Sequence, residues 1–178
     1  MSKIIHQIWV GPNEMAVRER RCCRLIQSKN PSWDYMFWTD KNVPQLPEEM
    51  QKVYDFFGET KQYTFQADVL RLFLVKDYGG LYVDVDFEPH TSFDGIENLD
   101  NLFLTWGLNQ ERMLNGAFFA TREHPTVIDL CNKVNMKTRF YGPDWYGKNL
   151  LQHKVNTMSF DDFQTKYAIH HHLNSWLT

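Results

Sequence analysis

Two aspartates stand one residue apart in "GGLYVDVDFEP", residues 79–89. Read as the end of a strand, Asp84 and Asp86 present both carboxylates on one face, because strand side chains alternate. Carboxylates that close disfavour each other's ionisation unless a cation or a set of donors compensates. A hard divalent ion with oxygen ligands, Mn²⁺ or Mg²⁺, is the natural compensator, and such ions often complete their shell with substrate phosphates. A D-x-D pair alone is more often a strand end running into solvent, because the pattern is short and common, so its surroundings must decide.

Asp68 and Arg71 lie three residues apart and so share a helix face. Their helix is otherwise apolar from Val69 to Val75, which places the pair in or beside the core, where a charge needs a partner. The Gly79-Gly80 turn then returns the chain directly into the Asp84–Asp86 strand, so both charged pairs can converge on one cleft. Trp9 ends the first strand, and ligands of open α/β sheets bind beyond the carboxyl ends of strands. A tryptophan there is equally a core residue. In the tail "YAIHHHLNSWLT", residues 167–178, adjacent histidines point apart and cannot all serve one ion. His170 is kept as a candidate ligand, while His171 and His172 read as surface residues. Ser175 and the Trp176 indole N–H are neutral donors suited to phosphate oxygens. His6 and Gln7 read as satisfied strand residues.

The elements that must position these residues follow from pattern. "KIIHQIWV" (3–10) is β-rich and stops at Gly11-Pro12, giving a first, central strand. Residues 14–29 carry a helical apolar stripe, and "WDYMFWTD" (33–40) reads as a second strand. That order predicts a parallel crossover and an α/β domain. A short helix is expected over 48–57. The longest helix is expected over 64–80, with Thr64 capping its start and Gly79 supplying the left-handed residue after its end. "LYVDVD" follows as a strand. Residues 101–106 and 115–121 are further strand candidates, and 124–134 and 144–155 read as helices.

The 178 residues fit one domain, 1–178, and 43% hydrophobic with 15% aromatic content supports a packed core. A net charge of −3 gives no overall basic field for nucleic acid. The basic cluster "RERRCCR" reads as a solvated helix face with Cys22, Leu25 and Ile26 on the buried side; the other reading is a patch for an anionic acceptor or membrane surface. Three cysteines, two of them adjacent, do not make a disulfide framework, and no CxxC or HExxH pattern marks a zinc site. No signal peptide and no run of about 18 apolar residues is found. The expectation is a cytoplasmic protein of a bacterium or a virus-infected host cell, without a transmembrane segment.

"KIIHQIWVG", "ADVLRLFLVKDYGGLYVDVD", "NGAFFATREHP", "YGP" and "AIHHHLNSW" occur in an order that resembles glycosyltransferase family 32. Its members include initiating mannosyltransferases of yeast and capsular-polysaccharide transferases of bacteria. A more distant likeness is to the glucosylating domains of large clostridial toxins. The resemblance runs from Lys3 to Trp176, and the block Ala67–Asp86 is its most specific part. It implies a compact, Rossmann-like GT-A fold that binds a nucleoside diphosphate sugar, UDP- or GDP-linked. It also implies a metal-dependent transferase that retains anomeric configuration and acts on a hydroxyl of a glycan or glycoconjugate acceptor.

Carried over by position, Asp84 and Asp86 match the DXD pair, the second binding the metal most directly and the first reaching ribose or sugar hydroxyls. Asp68 and Arg71 match residues that hold the donor sugar, and Trp9 matches an aromatic stacking on the nucleobase. Asn115 and Gly116 match a loop lining the sugar pocket. His170, Ser175 and Trp176 match a C-terminal group near metal and diphosphate. The chain departs from the family pattern in its short length and at His172 and Asn174, where an aromatic and a glycine are expected. Those departures motivate a second hypothesis, a nucleotide-sugar or glycan binding module with reduced catalysis. A hydrolytic phosphotransferase is a third, which the Trp9 and Ser175-Trp176 matches oppose.

Overall fold

The computed structural model describes residues 3–99, 102–106, 112–138 and 141–172. The chain runs β1 (Ile4–Ile8), α1 (Val17–Lys29), β2 (Asp34–Trp38), α2 (Glu48–Glu59), α3 (Tyr63–Tyr78), β3 (Gly80–Val83) and β4 (Phe87–Pro89). It continues through β5 (Leu102–Trp106), β6 (Arg112–Ala120), α4 (Pro125–Asn132), α5 (Pro143–Leu150), β7 (Asn156–Ser159), α6 (Phe160–Lys166) and β8 (Ala168–His170). Six strands form a mixed sheet in the order β2-β1-β3-β6-β5-β7. β1 lies parallel to both β2 and β3, as the β1-α1-β2 order predicts, and β6 runs antiparallel between β3 and β5. β4 and β8 form a separate antiparallel pair.

Strand alternation divides the core into two layers. Tyr82 and Phe118 face the cluster built with α2, α3, α4 and α5, while Leu81, Val83, Ala117 and Phe119 face the cluster that includes Ile26 of α1 and Phe163 of α6. α3 is buried continuously from Gln66 to Val75, Asp68 and Arg71 included. A helix apolar all round belongs inside a fold, so its two charges are carried inward with it.

The α3–β3 turn has no room for side chains. Gly80 has φ +101°, and a Cβ built there would lie 2.4 Å from the Ile4 carbonyl oxygen. Gly79 has φ +69°, and its Cβ would meet the Arg122 backbone nitrogen at 2.6 Å. Close packing of β3 against β1 and of the turn against residue 122 thus requires this glycine pair.

Several boundaries differ from expectation. α3 begins one residue before Thr64, with Gln62 at its N-cap and no side-chain cap, so Thr64 is inside the helix. The fifth helix ends at Leu150 rather than reaching residue 155; β7 and α6 follow where no element is expected, and β8 falls in the aromatic, His-rich tail. The strand expected to carry both aspartates ends at Val83.

Candidate active site

Because β3 stops early, Asp84–Asp86 form a turn closed by the Phe87 N–H donating to the Asp84 carbonyl at 3.3 Å. The two carboxylates therefore come together through a turn, not through strand alternation. Val85 between them is buried against Trp9 and Cys23. The turn is anchored from both sides: the Asp84 N–H donates to the Gly116 carbonyl at 2.7 Å, and the Gln7 amide donates to the Asp84 carbonyl at 3.2 Å. Gln7 is held in turn by the Tyr35 hydroxyl at 2.7 Å.

β8 brings His170 alongside. Its register on β4 sets His170 opposite Phe87, and the two rings stack at 4.2 Å with a 2° interplanar angle. The stack directs His170 Nε2 to 3.1 Å from Asp86 Oδ1 and 4.0 Å from Asp84 Oδ2. Asp84, Asp86 and His170 offer ligand atoms all within 4.8 Å of one another. Two carboxylates and an imidazole form a donor set for a divalent cation, the carboxylates suiting Mn²⁺ or Mg²⁺.

Behind this trio lies the pair from α3. Arg71 Nη2 sits 2.8 Å from Asp68 Oδ1, and Arg71 Nη1 sits 3.4 Å from Asp84 Oδ1 and also donates to the Asn115 carbonyl. The Asn115 amide donates to Asp68 at 2.8 Å and to the Tyr141 carbonyl at 3.1 Å. Tyr82 donates its hydroxyl to Asp84 Oδ1 at 2.5 Å, and its ring lies under the Arg71 guanidinium at 4.3 Å. The Arg71 bond to Asp68 is an intrahelical pair, yet both side chains are at most 5% exposed, so it lies in the interior.

Three carboxylates gather here: Asp68 and Asp84 pair with the Arg71 guanidinium, and Asp84 and Asp86 lie beside His170. Burial pushes Asp68 up to about 7 against the pull of Arg71, and Asp84 adds to the rise. Burial also raises the Asp84 carboxyl, Arg71 opposes, and Asp86 pushes it further. A divalent cation beside Asp84 and Asp86 would relieve the like-charge repulsion that these directions record. The residues present therefore fit the metal that the resemblance implies.

A cavity of about 240 Å³ opens beside the trio, lined by Asp84, His170, Asn115 and Gly116 on the polar side and by Leu104, Leu114, Pro143 and Phe160 on the apolar side. Gly116 gives the Asp84 carboxylate its space, since a Cβ would stand 2.7 Å from Asp84 Oδ2.

The structure thus brings together Asp68, Arg71, Asp84, Asp86, Asn115, Gly116 and His170. Trp9 stands apart from that cavity's lining: it is 8% exposed, packs on Cys23 and Val85, and donates its indole N–H to the Asn13 carbonyl at 2.7 Å. Ser175 and Trp176 lie outside the described residues. His172, read as a surface residue, lines the cavity with its ring 4.0 Å from that of His170. Tyr82 was missed because a tyrosine in an apolar strand carries no local sign of its hydroxyl's partner. Gln7 is satisfied, as expected of an interior strand residue, and its partners are the turn that carries the aspartates and the Tyr35 hydroxyl.

The mixed sheet that carries this D-x-D turn at the end of an interior strand has a GT-A type fold, as its likeness to a solved structure shows. The solved glycosyltransferase PaToxG superposes with a TM-score of 0.73 at 17% identity, over 85% of this chain and 69% of that one. Residues 16–103 match the model of the family "Glycosyltransferase sugar-binding region containing DXD motif". Inositol phosphoceramide mannosyltransferase 1 of Schizosaccharomyces pombe is 25% identical over 75% of this chain and 42% of its own length. An uncharacterized glycosyltransferase of Acanthamoeba polyphaga mimivirus is 27% identical over 68% of this chain and 51% of its own. Mouse lactosylceramide 4-alpha-galactosyltransferase is 34% identical over 41% of this chain and 19% of its own. The matches thus span about half, or less, of these relatives' lengths.

Proposed function

We propose that this chain is a metal-dependent glycosyltransferase moving a sugar from a nucleoside diphosphate sugar to a hydroxyl of a glycoconjugate. The observation that carries this reading is the convergence of Asp84, Asp86 and His170 beside a cavity that Asp84 and His170 line together with Asn115 and Gly116. Asp86 and His170, with Asp84, would hold a divalent ion. When bound, such an ion supplies Lewis-acid neutralisation of the negative charge that builds on the departing diphosphate. Asp68 and Arg71 hold Asn115 and Asp84 in place from behind, so their contribution is preorganisation.

Asp84 is the one carboxylate among the described residues lining the cavity, and Tyr82 and Arg71 already engage it. That arrangement supports retention by front-face attack, in which the acceptor hydroxyl enters on the side the diphosphate leaves. The named activities of the fungal and mouse relatives make mannose- and galactose-bearing nucleotide donors the first to test, and a ceramide-linked headgroup the first acceptor class.

The test is product analysis with a panel of UDP- and GDP-sugars, with Mn²⁺ and with chelator. Turnover requires metal, and Asp86→Ala lowers it by at least about 10²-fold, the loss of one principal charge-stabilising group. Metal-independent turnover, or an Asp86→Ala enzyme as active as the parent, rejects the assignment. Donor binding without nucleotide release identifies a binding module instead.

A further inference from the structure

His170 and His171 are neighbours that point opposite ways. His170 faces the aspartates, whereas His171 faces α1. Three contacts hold His171, and a fourth secures its partner Glu88. Its backbone N–H donates to the Asp86 carbonyl at 3.2 Å, and its Nε2 lies 2.9 Å from Glu88 Oε2. Arg18 Nη2 lies 2.6 Å from His171 Nδ1, and Arg21 closes the set by pairing with Glu88 at 3.1 Å. A guanidinium only donates, so Nδ1 must accept, and Nε2 then carries the proton given to Glu88. Both ring nitrogens of His171 are thereby engaged.

Cys22 stands close enough to Glu88 and His171 for the three to be arranged like a metal site. The surroundings oppose a cation. Arg18 occupies the free imidazole lone pair, Arg21 occupies Glu88, and burial pushes the Cys22 thiol up to about 11, away from the thiolate that a metal needs. The group is built to join elements.

We propose that Arg18, Arg21, Glu88 and His171 form a tether from α1 that positions His170, and through the His171–Asp86 backbone bond the aspartate turn, for metal binding. The inference rests on the metal reading given above. Residues that orient metal ligands without touching the ion commonly govern affinity at the level of roughly 10- to 100-fold. α1 then does more than cover the sheet: it sets the approach of the C-terminal strand to the turn.

The sign of the effect separates this role from simple electrostatics. Removing a cation near a cation site should by Coulomb's law alone tighten binding. The tether demands the reverse. The experiment titrates Mn²⁺ alone into the unmodified chain and into Arg18→Ala, Arg18→Lys, Glu88→Gln, His171→Phe and Arg24→Ala, and records melting temperature beside each titration. Arg18→Ala and His171→Phe weaken Mn²⁺ binding roughly tenfold, Arg18→Lys restores most of it, and Arg24→Ala, on the exposed side of the same helix, leaves it unchanged. If His171→Phe fails to fold, the exposed Arg18 variants carry the test. Tighter or unchanged Mn²⁺ binding in Arg18→Ala overturns the tether. Absence of Mn²⁺ binding in the unmodified chain overturns the metal reading itself, a distinct result.

Discussion

Asp84 is the residue on which the site turns. Tyr82, Arg71 and Gly116 fix its carboxylate, Gln7 and Gly116 fix its backbone, and one of its oxygens looks toward His170. Gly116 is the most economical place to disturb it. Its backbone is open to any residue, but a Cβ would stand 2.7 Å from Asp84 Oδ2. Gly116→Ala is therefore expected to fold, with Asp84 displaced and Mn²⁺ affinity lowered by about tenfold, at the low end for disturbed metal ligation. Parallel circular dichroism and metal titration check this; unchanged metal affinity would count against Asp84 as a ligand. Some of these relations were readable early. Asp68 and Arg71 at i and i+3 in an apolar helix announce a buried pair. The Tyr82 hydroxyl and the His172 ring do not announce theirs, because their partners come from other elements.

At the scale of elements, the α3–β3 turn does the positioning. By reversing the chain between α3 and β3, it brings the Asp68–Arg71 pair and the aspartate turn together. Gly80 allows β3 to lie against β1, with Ile5 opposite Leu81 and His6 opposite Tyr82. Gly80→Ala adds an unfavourable backbone region and a collision with the Ile4 carbonyl. A destabilisation on the order of 3 kcal/mol is expected, the upper range for such strain, measured as a lower urea midpoint with unchanged slope. A loss under about 0.5 kcal/mol, the scale of an ordinary surface change, would show that the turn can relax. Gly79-Gly80 was legible as a turn from sequence. The end of β3 at Val83 was not, since "LYVDVD" keeps its alternation through Asp86 and only the return into β4 breaks the strand.

For the whole molecule, His6 sits where β1, β2 and the α3–β3 turn meet. Its Nε2 donates to the Gly79 carbonyl at 2.8 Å, and its Nδ1 accepts from the Trp38 indole at 3.1 Å. Burial holds its pKa down to about 4 from 6.5, against the opposing pull of the Gly79 carbonyl. The unfolded chain thus binds this proton more readily than the native one between those values. Stability from this group is full above about pH 6.5 and falls as pH drops toward 4. The loss is roughly 3 kcal/mol across the window. Denaturant unfolding between pH 7 and 4.5 should show this slope, and His6→Gln should flatten it; an equal slope in the variant would place the acid sensitivity elsewhere.

The sequence by itself determined the α/β class, the parallel β1-α1-β2 unit, the buried α3 with its charged pair, and the convergence of that pair with Asp84 and Asp86. Those features are local: period, helical spacing and a glycine turn encode them within a few residues. Tertiary structure decided the rest. Sequence singled out His170 as a ligand candidate and set His171 aside, but whether His170 reaches Asp86 and what His171 does depended on β8 pairing with β4 across some 80 residues. Hydrogen-bond partners at that separation are fixed only when the strands pair, and no period in the chain records them.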